Sequence, residues 1–580
     1  MSQQDAHVDV CDEMAAGAVH RGLLDPMKYR AYRAIWLANL FANLGMWAQS
    51  VASAWVVTEQ HGSPLMVAMI QVASALPLVL LSIVAGVLAD NHDRRKLMLV
   101  GMVIQTAGGV FITVIAEVAT LTPELLILSI LGISLGSALI TPAWQAAVNE
   151  QVPRSAVAGA VLLNSVNFNV ARAVGPALGG IMLGFCAPKW VFLLNSLCSL
   201  VLMYAIWRWH REVPARSLPP ERIREGVKAA LQFTHYSTVT RIVMLRSFLF
   251  GICASAIWAL LPLLADQNPE GSAVLYGYML GTLGIGAIFG SVGIDRLRRR
   301  MGTGRMISLA SGVCAAMLLI LGSTHNLWCV FIALLLSGSC WIAALSTYNA
   351  SVQLLVPDWV KGRALALYQT SLYGGLALGS FLWGHLASTM TVLGALQAAG
   401  IVMLVCTALL YHSKLPSLDD NDMLHVDGPA HIAPAIAFNP QRGSVMVTVD
   451  YRIPEARTHE FIRAMRRQRK LRLRNGAERW WLYRDTQERA LWQEVFLVRN
   501  WLQHLRMQDR MTIADKHILD TVLAFHGDSE PPRVRYSVSY KSMRASDSSL
   551  PSLAEEPASV ETPPERAQGS PHQDDVIDSV

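Results

Sequence analysis

The run GPALGG, residues 175–180, sits in the middle of an apolar stretch, with Arg172 just upstream. The pattern around it returns in the second half of the chain at one constant offset. AAVNEQVPRSAVAGA (146–160) aligns with ASVQLLVPDWVKGRA (350–364), and GPALGG with GSFLWG (379–384). Val152-Pro153 thus matches Val356-Pro357, and Gly175 and Gly180 match Gly379 and Gly384. Upstream, GVLADNHDRRK (86–96) pairs with GSVGIDRLRRR (290–300), each with an Asp and, four positions on, an Arg: Asp90 and Arg94, Asp295 and Arg299. Parallel duplication of apolar halves predicts a membrane protein built like many secondary transporters.

Composition points the same way. Of 580 residues, 53% are hydrophobic and 16% charged, with a mean hydropathy of +0.35. That is too apolar for a soluble protein of this length. A spanning helix needs about 20 apolar residues, and twelve spans are predicted: 32–57, 64–89, 97–117, 124–147, 160–184, 189–208, 243–264, 275–294, 304–322, 327–350, 364–387 and 391–411. The expected fold is an all-α polytopic membrane protein with a C-terminal α+β unit. Its parts are an N-terminal tail (1–30), a first six-helix bundle (31–208), a central loop (209–241), a second bundle (242–411), a linker (412–441), the α+β unit (442–541) and a disordered tail (542–580).

The first thirty residues hold Asp5, Asp9, Asp12 and Glu13 and no short apolar core, so they read as a cytoplasmic tail and not a cleaved signal. The cysteines apart from Cys11 are expected as buried thiols, not as a disulfide framework. Basic residues set the orientation. Arg94, Arg95 and Lys96 follow the second span; Arg208, Arg211, Arg216, Arg222, Arg224, Lys228 and Arg241 occupy the central loop. Arg296, Arg298, Arg299, Arg300 and Arg305 follow the eighth span, and Lys361 and Arg363 the tenth. The opposite loops offer Lys189 and little else. The positive-inside rule puts both termini in the cytoplasm. These loops account for the net charge of +6, so no nucleic-acid partner is implied.

Two similar sets of six spans joined by a basic loop resemble the major facilitator superfamily. GVLADNHDRRK is similar to that superfamily's signature between the second and third spans, through Gly86, Asp90, Arg94 and Arg95. Its usual second glycine is Asp93 here. TPAWQAAVNEQVP, NFNVARAVGPALGG and SAIWALLPLLA resemble the branch of enterobactin exporters and related secretion permeases. Physically, Asp90 with Arg94 or Arg95, echoed by Asp295 and Arg299, forms either a latch that breaks when the cytoplasmic side opens or a cluster that only sets topology. Gly175, Pro176, Gly179, Gly180, Gly379 and Gly384 suit close helix packing and a hinge.

Polar and aromatic stripes mark a candidate cavity. The first span carries Trp36, Asn39, Asn43, Trp47 and Ser50; the fourth Ser134, Ser137, Thr141 and Trp144. The seventh carries Ser247, Gly251, Ser255 and Trp258; the tenth Ser337, Trp341 and Tyr348. The resemblance implies that these four spans line the central cavity. The plainer reading makes them packing residues and interfacial belts. Such a lining suits a sizeable organic molecule with rings. Arg172 lies roughly 16 Å into the fifth span, near mid-bilayer, with Asn164, Asn167 and Asn169 on its cytoplasmic side. It is either a counter-ion for an anionic substrate or a structural tie to nearby carbonyls. Arg246, close to a span end, is expected to snorkel to the interface.

No GxxxxGK[ST] loop and no metal-ligand pattern is present, so neither ATP hydrolysis, cofactor nor metal is expected. The resemblance implies proton antiport, yet no Asp or Glu lies deep in a span: Glu117, Glu124 and Asp266 sit at outer ends, and Asp90, Glu150 and Asp295 at inner ends. In the tail, a βαββαβ order over 444–540 predicts a ferredoxin-like unit. EVFLVRNWLQHLRMQDRMTIADKHI resembles the antibiotic-biosynthesis-monooxygenase-like module, which implies pairing of sheets as a homodimer. His504, Arg506 and Arg510 are expected at the surface or dimer contact, and the charge run Arg463–Arg474 as a solvated or lipid-binding face. The expected protein is an exporter of a small organic molecule across the lipid bilayer. The alternative is a membrane-anchored enzyme or sensor acting through the tail.

Overall fold

The computed structural model describes residues 24–118, 121–153, 156–210, 223–413, 436 and 438–543. The expected terminal tails and most of the linker lie outside them. So do the side chains of Asp90, Asp295 and Arg299. The first half has six long helices: α1 (Arg30–Glu59), α2 (Pro64–Asn91), α3 (Arg94–Val118), α4 (Pro123–Gln151), α5 (Val157–Phe185) and α6 (Pro188–Arg208). A shorter helix, α7 (Ile223–Tyr236), leads into α8 (Thr238–Asp266) and α9 (Ala273–Ser291). Then follow a short α10 (Ile294–Met301), α11 (Thr303–Leu321), α12 (Leu327–Leu355), α13 (Asp358–Thr389) and α14 (Val392–Leu410). Among the described residues ten helices are long and apolar enough to cross a membrane; α1 and α13 are not among the ten.

The starts of these helices are written in the sequence. Ser63, Thr122, Ser272, Asn326 and Thr391 each accept a hydrogen bond from a backbone N–H in the first turn of α2, α4, α9, α12 and α14. That satisfies donors which an apolar helix end cannot otherwise pair. Prolines open α2, α4 and α6, where the missing N–H is harmless.

The duplicated glycines play the same part in both halves. A Cβ at Gly175 would lie 2.6 Å from Trp47 Cβ on α1, and one at Gly379 only 2.2 Å from the Ile252 carbonyl on α8. Each therefore packs its helix on the first helix of its own half. Gly180 and Gly384 instead face the other half. A Cβ at Gly180 would lie 2.9 Å from Gly277 Cα on α9, and one at Gly384 would lie 2.4 Å from Ala68 Cβ on α2. The halves meet through these two pairs, α5 with α9 and α2 with α13. Gly179 is pressed against Ala48 of α1, and the Pro176 carbonyl faces Gly277. Gly180→Val should push α5 from α9, at about 1–3 kcal/mol for overpacking. The purified protein would melt measurably lower, whereas Gly86→Ala, where a Cβ meets nothing within 4 Å, should not change melting.

The seven described cysteines are free thiols. Cys253, Cys314 and Cys340 are buried and Cys198 and Cys406 half-buried, whereas Cys186, just beyond α5, and Cys329, in the first turn of α12, are exposed because they sit at helix ends.

The C-terminal unit runs β1 (Val445–Arg452), α15 (Thr458–Asn475), β2 (Arg479–Arg484), β3 (Leu491–Val498), α16 (Trp501–Asp509), α17 (Ile513–Leu523) and β4 (Arg533–Val538). Its strands form one antiparallel sheet in the order β2-β3-β1-β4. Alternation buries Val445, Val447, Val449 and Tyr451 of β1 against Phe461 and Met465 of α15. The second helical stretch is broken in two, because Thr512 and Asp515 form a capping box that starts α17.

One buried position on β3 is polar. Glu494 accepts hydrogen bonds from Gln468 (2.6 Å), Trp480 (2.8 Å), Tyr451 (3.2 Å) and Arg472 (3.3 Å). Burial, then the adjacent Glu494 carboxylate, raise the Tyr451 phenol, which therefore keeps its proton as donor. The run Arg463–Arg474 is thus not simply a solvated face. Gln468, Leu471 and Leu473 are buried, and Arg472 and Arg474 turn inward to the buried carboxylates of Glu494 and Asp515. His504 and Arg510, expected at the surface or at a dimer contact, are instead 3% and 5% exposed within the single chain. His504 lies between the rings of Trp501 and Tyr536.

Candidate functional site

A chain of aromatic rings crosses from one half to the other. Phe168 on α5 meets Trp47 on α1 edge-on, with ring centroids 6.1 Å apart. Trp47 lies 6.0 Å from Trp258 on α8, across the boundary between the halves. The chain continues through Trp341 on α12 (5.7 Å), Phe250 on α8 (5.8 Å), Tyr348 on α12 (6.2 Å) and Tyr368 on α13 (6.3 Å). Four residues marked by the stripes, Trp47, Trp258, Trp341 and Tyr348, are therefore brought together.

Arg172 adjoins this chain. Phe168, Arg172 and Gly175 recur at helical spacing on one face of α5, the face that carries Trp47. The guanidinium carbon lies 5.9 Å from the Phe168 centroid, and Nη2 donates to Asn169 Oδ1 at 2.8 Å. Arg172 is 5% exposed, and among the described residues no carboxylate pairs with it. Among the described residues two buried donors here have no acceptor: Arg172 Nε and Trp47 Nε1. A buried donor left bare costs about 1–3 kcal/mol, so both would favour an incoming acceptor. Phe168 remains 42% exposed, which leaves one side of the cluster open.

The other stripe residues fall elsewhere. Asn43 Nδ2 donates to Asn167 Oδ1 at 3.0 Å, Asn167 Nδ2 to the Trp36 carbonyl, and Tyr32 Oη to the Ala160 carbonyl and to Asn164 Oδ1. These bonds zip α1 to α5 inside the first half. Asn39 is half-buried one turn before Asn43. Thr141 donates to the Ser137 carbonyl of its own helix, and Trp144 packs with Ile35, Met98 and Ala147 at the basic end. Arg246 does not snorkel. It is 4% exposed, and donates to Ser413 and to the Gly304 and Leu410 carbonyls, holding the end of α14.

The interface is sealed at the end away from the basic loops. Residues 51–58 of α1 are all buried, as are 259–265 of α8. Runs of about two turns leave no face uncovered, so the opposite half closes over these ends. Trp55 on α1 stacks on Tyr276 of α9 at 6.5 Å in the same region.

At the basic end, Arg94 Nη1 pairs with Glu150 Oε1 at 2.8 Å, tying the start of α3 to the end of α4. Arg95 donates to the Ile206 and Trp207 carbonyls at the end of α6. Asp93 accepts from the Arg95 and Lys96 backbone N–H groups. The residue that replaces the signature's glycine is thus the helix cap of α3. Glu150 was visible only as an acid at a span end; its partner is far away in sequence. At the repeat offset its counterpart is Leu354, which carries no charge.

A family model described as transmembrane secretion effector matches residues 21–544. The chain belongs to that family of the major facilitator superfamily. The match reaches past α14, so the C-terminal sheet unit lies within it. The chain is 23% identical over 375 residues to the staphyloferrin A transporter of Staphylococcus aureus, covering 63% of this chain and 92% of the relative. It is 24% identical over 400 residues to the multidrug efflux pump Tap of Mycolicibacterium fortuitum, covering 66% and 96%. With the enterobactin exporter EntS of Escherichia coli it shares 25% over 387 residues, covering 66% and 91%. A bacterial homologue of the lysosomal transporter Spinster, solved inward-facing and unoccupied, superposes with a TM-score of 0.53 at 14% identity, over 67% of this chain and 96% of that one. The nucleoside transporter NupG gives 0.52 at 12% identity, over 66% and 98%. These two carry the fold alone. The chain is a multi-pass membrane transporter, and its family and relatives are transporters and not enzymes.

Proposed function

We propose that this transporter exports a small, ring-bearing organic anion, siderophore-like or drug-like, across the cytoplasmic membrane by alternating access and in exchange for protons. The observation that carries this reading is the aromatic chain Phe168–Trp47–Trp258–Trp341 across the two halves, flanked by the bare donors of Arg172 and Trp47. Rings stack on rings with worthwhile gain only at such short range, and a buried cation without a carboxylate calls for an anion. In this reading all twelve long helices span, both termini lie in the cytoplasm, and the state described is open towards the basic side. Close packing of Gly175, Pro176, Gly179 and Gly180 with their repeats then lets each half move as a unit.

We read the βαββααβ unit as ferredoxin-like, with a homodimer through the open face of its sheet. Relatives named as an enterobactin exporter and a multidrug efflux pump support the export direction, and exchange for protons rests on the resemblance to the major facilitator superfamily. Everted vesicles test the function. A carboxylated aromatic probe should accumulate when the lumen is acidified and stop when a protonophore collapses the gradient. Accumulation that ignores the gradient would remove proton exchange, and no uptake of either anionic or neutral aromatic probes would remove the export reading.

A further inference from the structure

The central-loop helix α7 has two faces with different neighbours. Ala230 and Phe233, each 1% exposed, join the core that both halves share and that includes Val360 and Ala364 of α13, on which α7 packs. Lys228, Gln232 and Tyr236, at helical spacing on another face, meet the C-terminal unit. Lys228 Nζ pairs with Glu478 at 2.6 Å, and Tyr236 packs on the unit's core. Gln232 Nε2 donates to the Leu473 and Ala477 carbonyls at 2.8 and 2.6 Å, satisfying acceptors that the end of α15 cannot pair within the helix.

A direct grip on α13 lies alongside. The Arg510 guanidinium carbon sits 3.9 Å from the Trp359 ring centroid, and Trp359 meets Phe233 edge-on at 5.7 Å. Arg474 covers Phe233 at 5.7 Å. Both cations are anchored inside the C-terminal unit, Arg510 on the Asn475 carbonyl and Arg474 on Asp515. Trp359 opens α13, and Arg363, one turn on, lies over Gly226 of α7. Helix α7 also packs on α2, so it touches both halves at the basic end, and further along their length α2 and α13 join through Ser82 and Thr370, 2.7 Å apart.

We propose that the C-terminal sheet unit is a clamp on the transport cycle: by gripping α7 and Trp359 it fixes the spacing of the basic ends of α2 and α13 and favours the state sealed at the far end. This rests on the alternating-access reading. A segment shifts a conformational equilibrium only through contacts that differ between the states. A helix wedged on both halves at once supplies such contacts, because it fits one spacing of those halves and not the other.

Spin labels at Ser165 of α5 and Phe289 of α9, both exposed near the basic ends of opposite halves, report the separation of the two halves at that end in the full-length protein, in a cysteine-free background in nanodiscs. Arg510→Ala, Trp359→Leu and Gln232→Ala should each move the ratio of the two distance populations about tenfold away from the described state, the scale of one desolvated cation–π contact. Arg510→Lys should keep part of the effect, and Lys516→Ala, exposed on α17, should show none. Gln232 and Trp359 lie outside the C-terminal unit, so they decide the matter if Arg510→Ala misfolds it. Unchanged populations in both of those variants would overturn the clamp. A parent protein that fails to transport while its variants still shift the distances would sink the export reading and leave the clamp standing.

Discussion

Arg172→Gln should cut transport of an anionic aromatic probe roughly a hundredfold, with a neutral analogue of the same shape nearly unaffected. The size follows from losing a charge-assisted hydrogen bond of about 3 kcal/mol at a buried arginine. Arg172 touches the Phe168 ring, bonds only its own-helix neighbour Asn169 through Nη2, and keeps Nε bare. A structural tie would leave its donors occupied by carbonyls, as Arg246 does at the end of α14. Arg172→Lys should retain part of the anion transport, since the charge stays while the planar fork is lost. Folded yield by size-exclusion chromatography and uptake of both probes separate the cases. Equal loss for the charged and neutral probe, together with poor yield of both variants, would make Arg172 a structural residue.

The comparison of Arg172 with Arg246 shows how far the sequence reaches. Both are arginines inside apolar helices, and their depth in the span separates them without showing which acceptors each one meets. Arg246 finds its acceptors on α11 and α14, far along the chain, and only the folded second half brings them together. The same holds for Asn43 and Asn164, which share helical stripes with Trp47 and Arg172 but turn into the α1–α5 seam. A stripe locates a face of a helix; it does not say which neighbour covers that face. The duplicated glycines were more legible, because a small residue recurring at one offset in two halves has a single physical use, close approach. Arg510 and Arg474 were illegible as interface groups: in sequence they belong to basic surface runs, and their aromatic partners lie in α7 and α13.

Asp90→Asn and Glu150→Gln should each insert and fold normally yet lose at least about tenfold in transport. Arg94 is held between the end of α2, through the Ala89 carbonyl, and the end of α4, through Glu150, and the pair is largely shielded. Removing one partner of a shielded ion pair leaves the other charge uncompensated, at about 3 kcal/mol or more. If the pair has to loosen whenever the basic end opens or closes, that energy falls unequally on the two states and slows the cycle. The charge swap Arg94→Glu with Glu150→Arg should restore part of the rate that either single reversal removes, because the attraction returns with its sign exchanged. Recovery stops short of full, since a glutamate at position 94 cannot donate to the Ala89 carbonyl. Full activity of Asp90→Asn and Glu150→Gln in everted vesicles would reduce the cluster to a topology signal. Leu354 stands at the place equivalent to Glu150, so a latch would then rest on Asp295 of the second half.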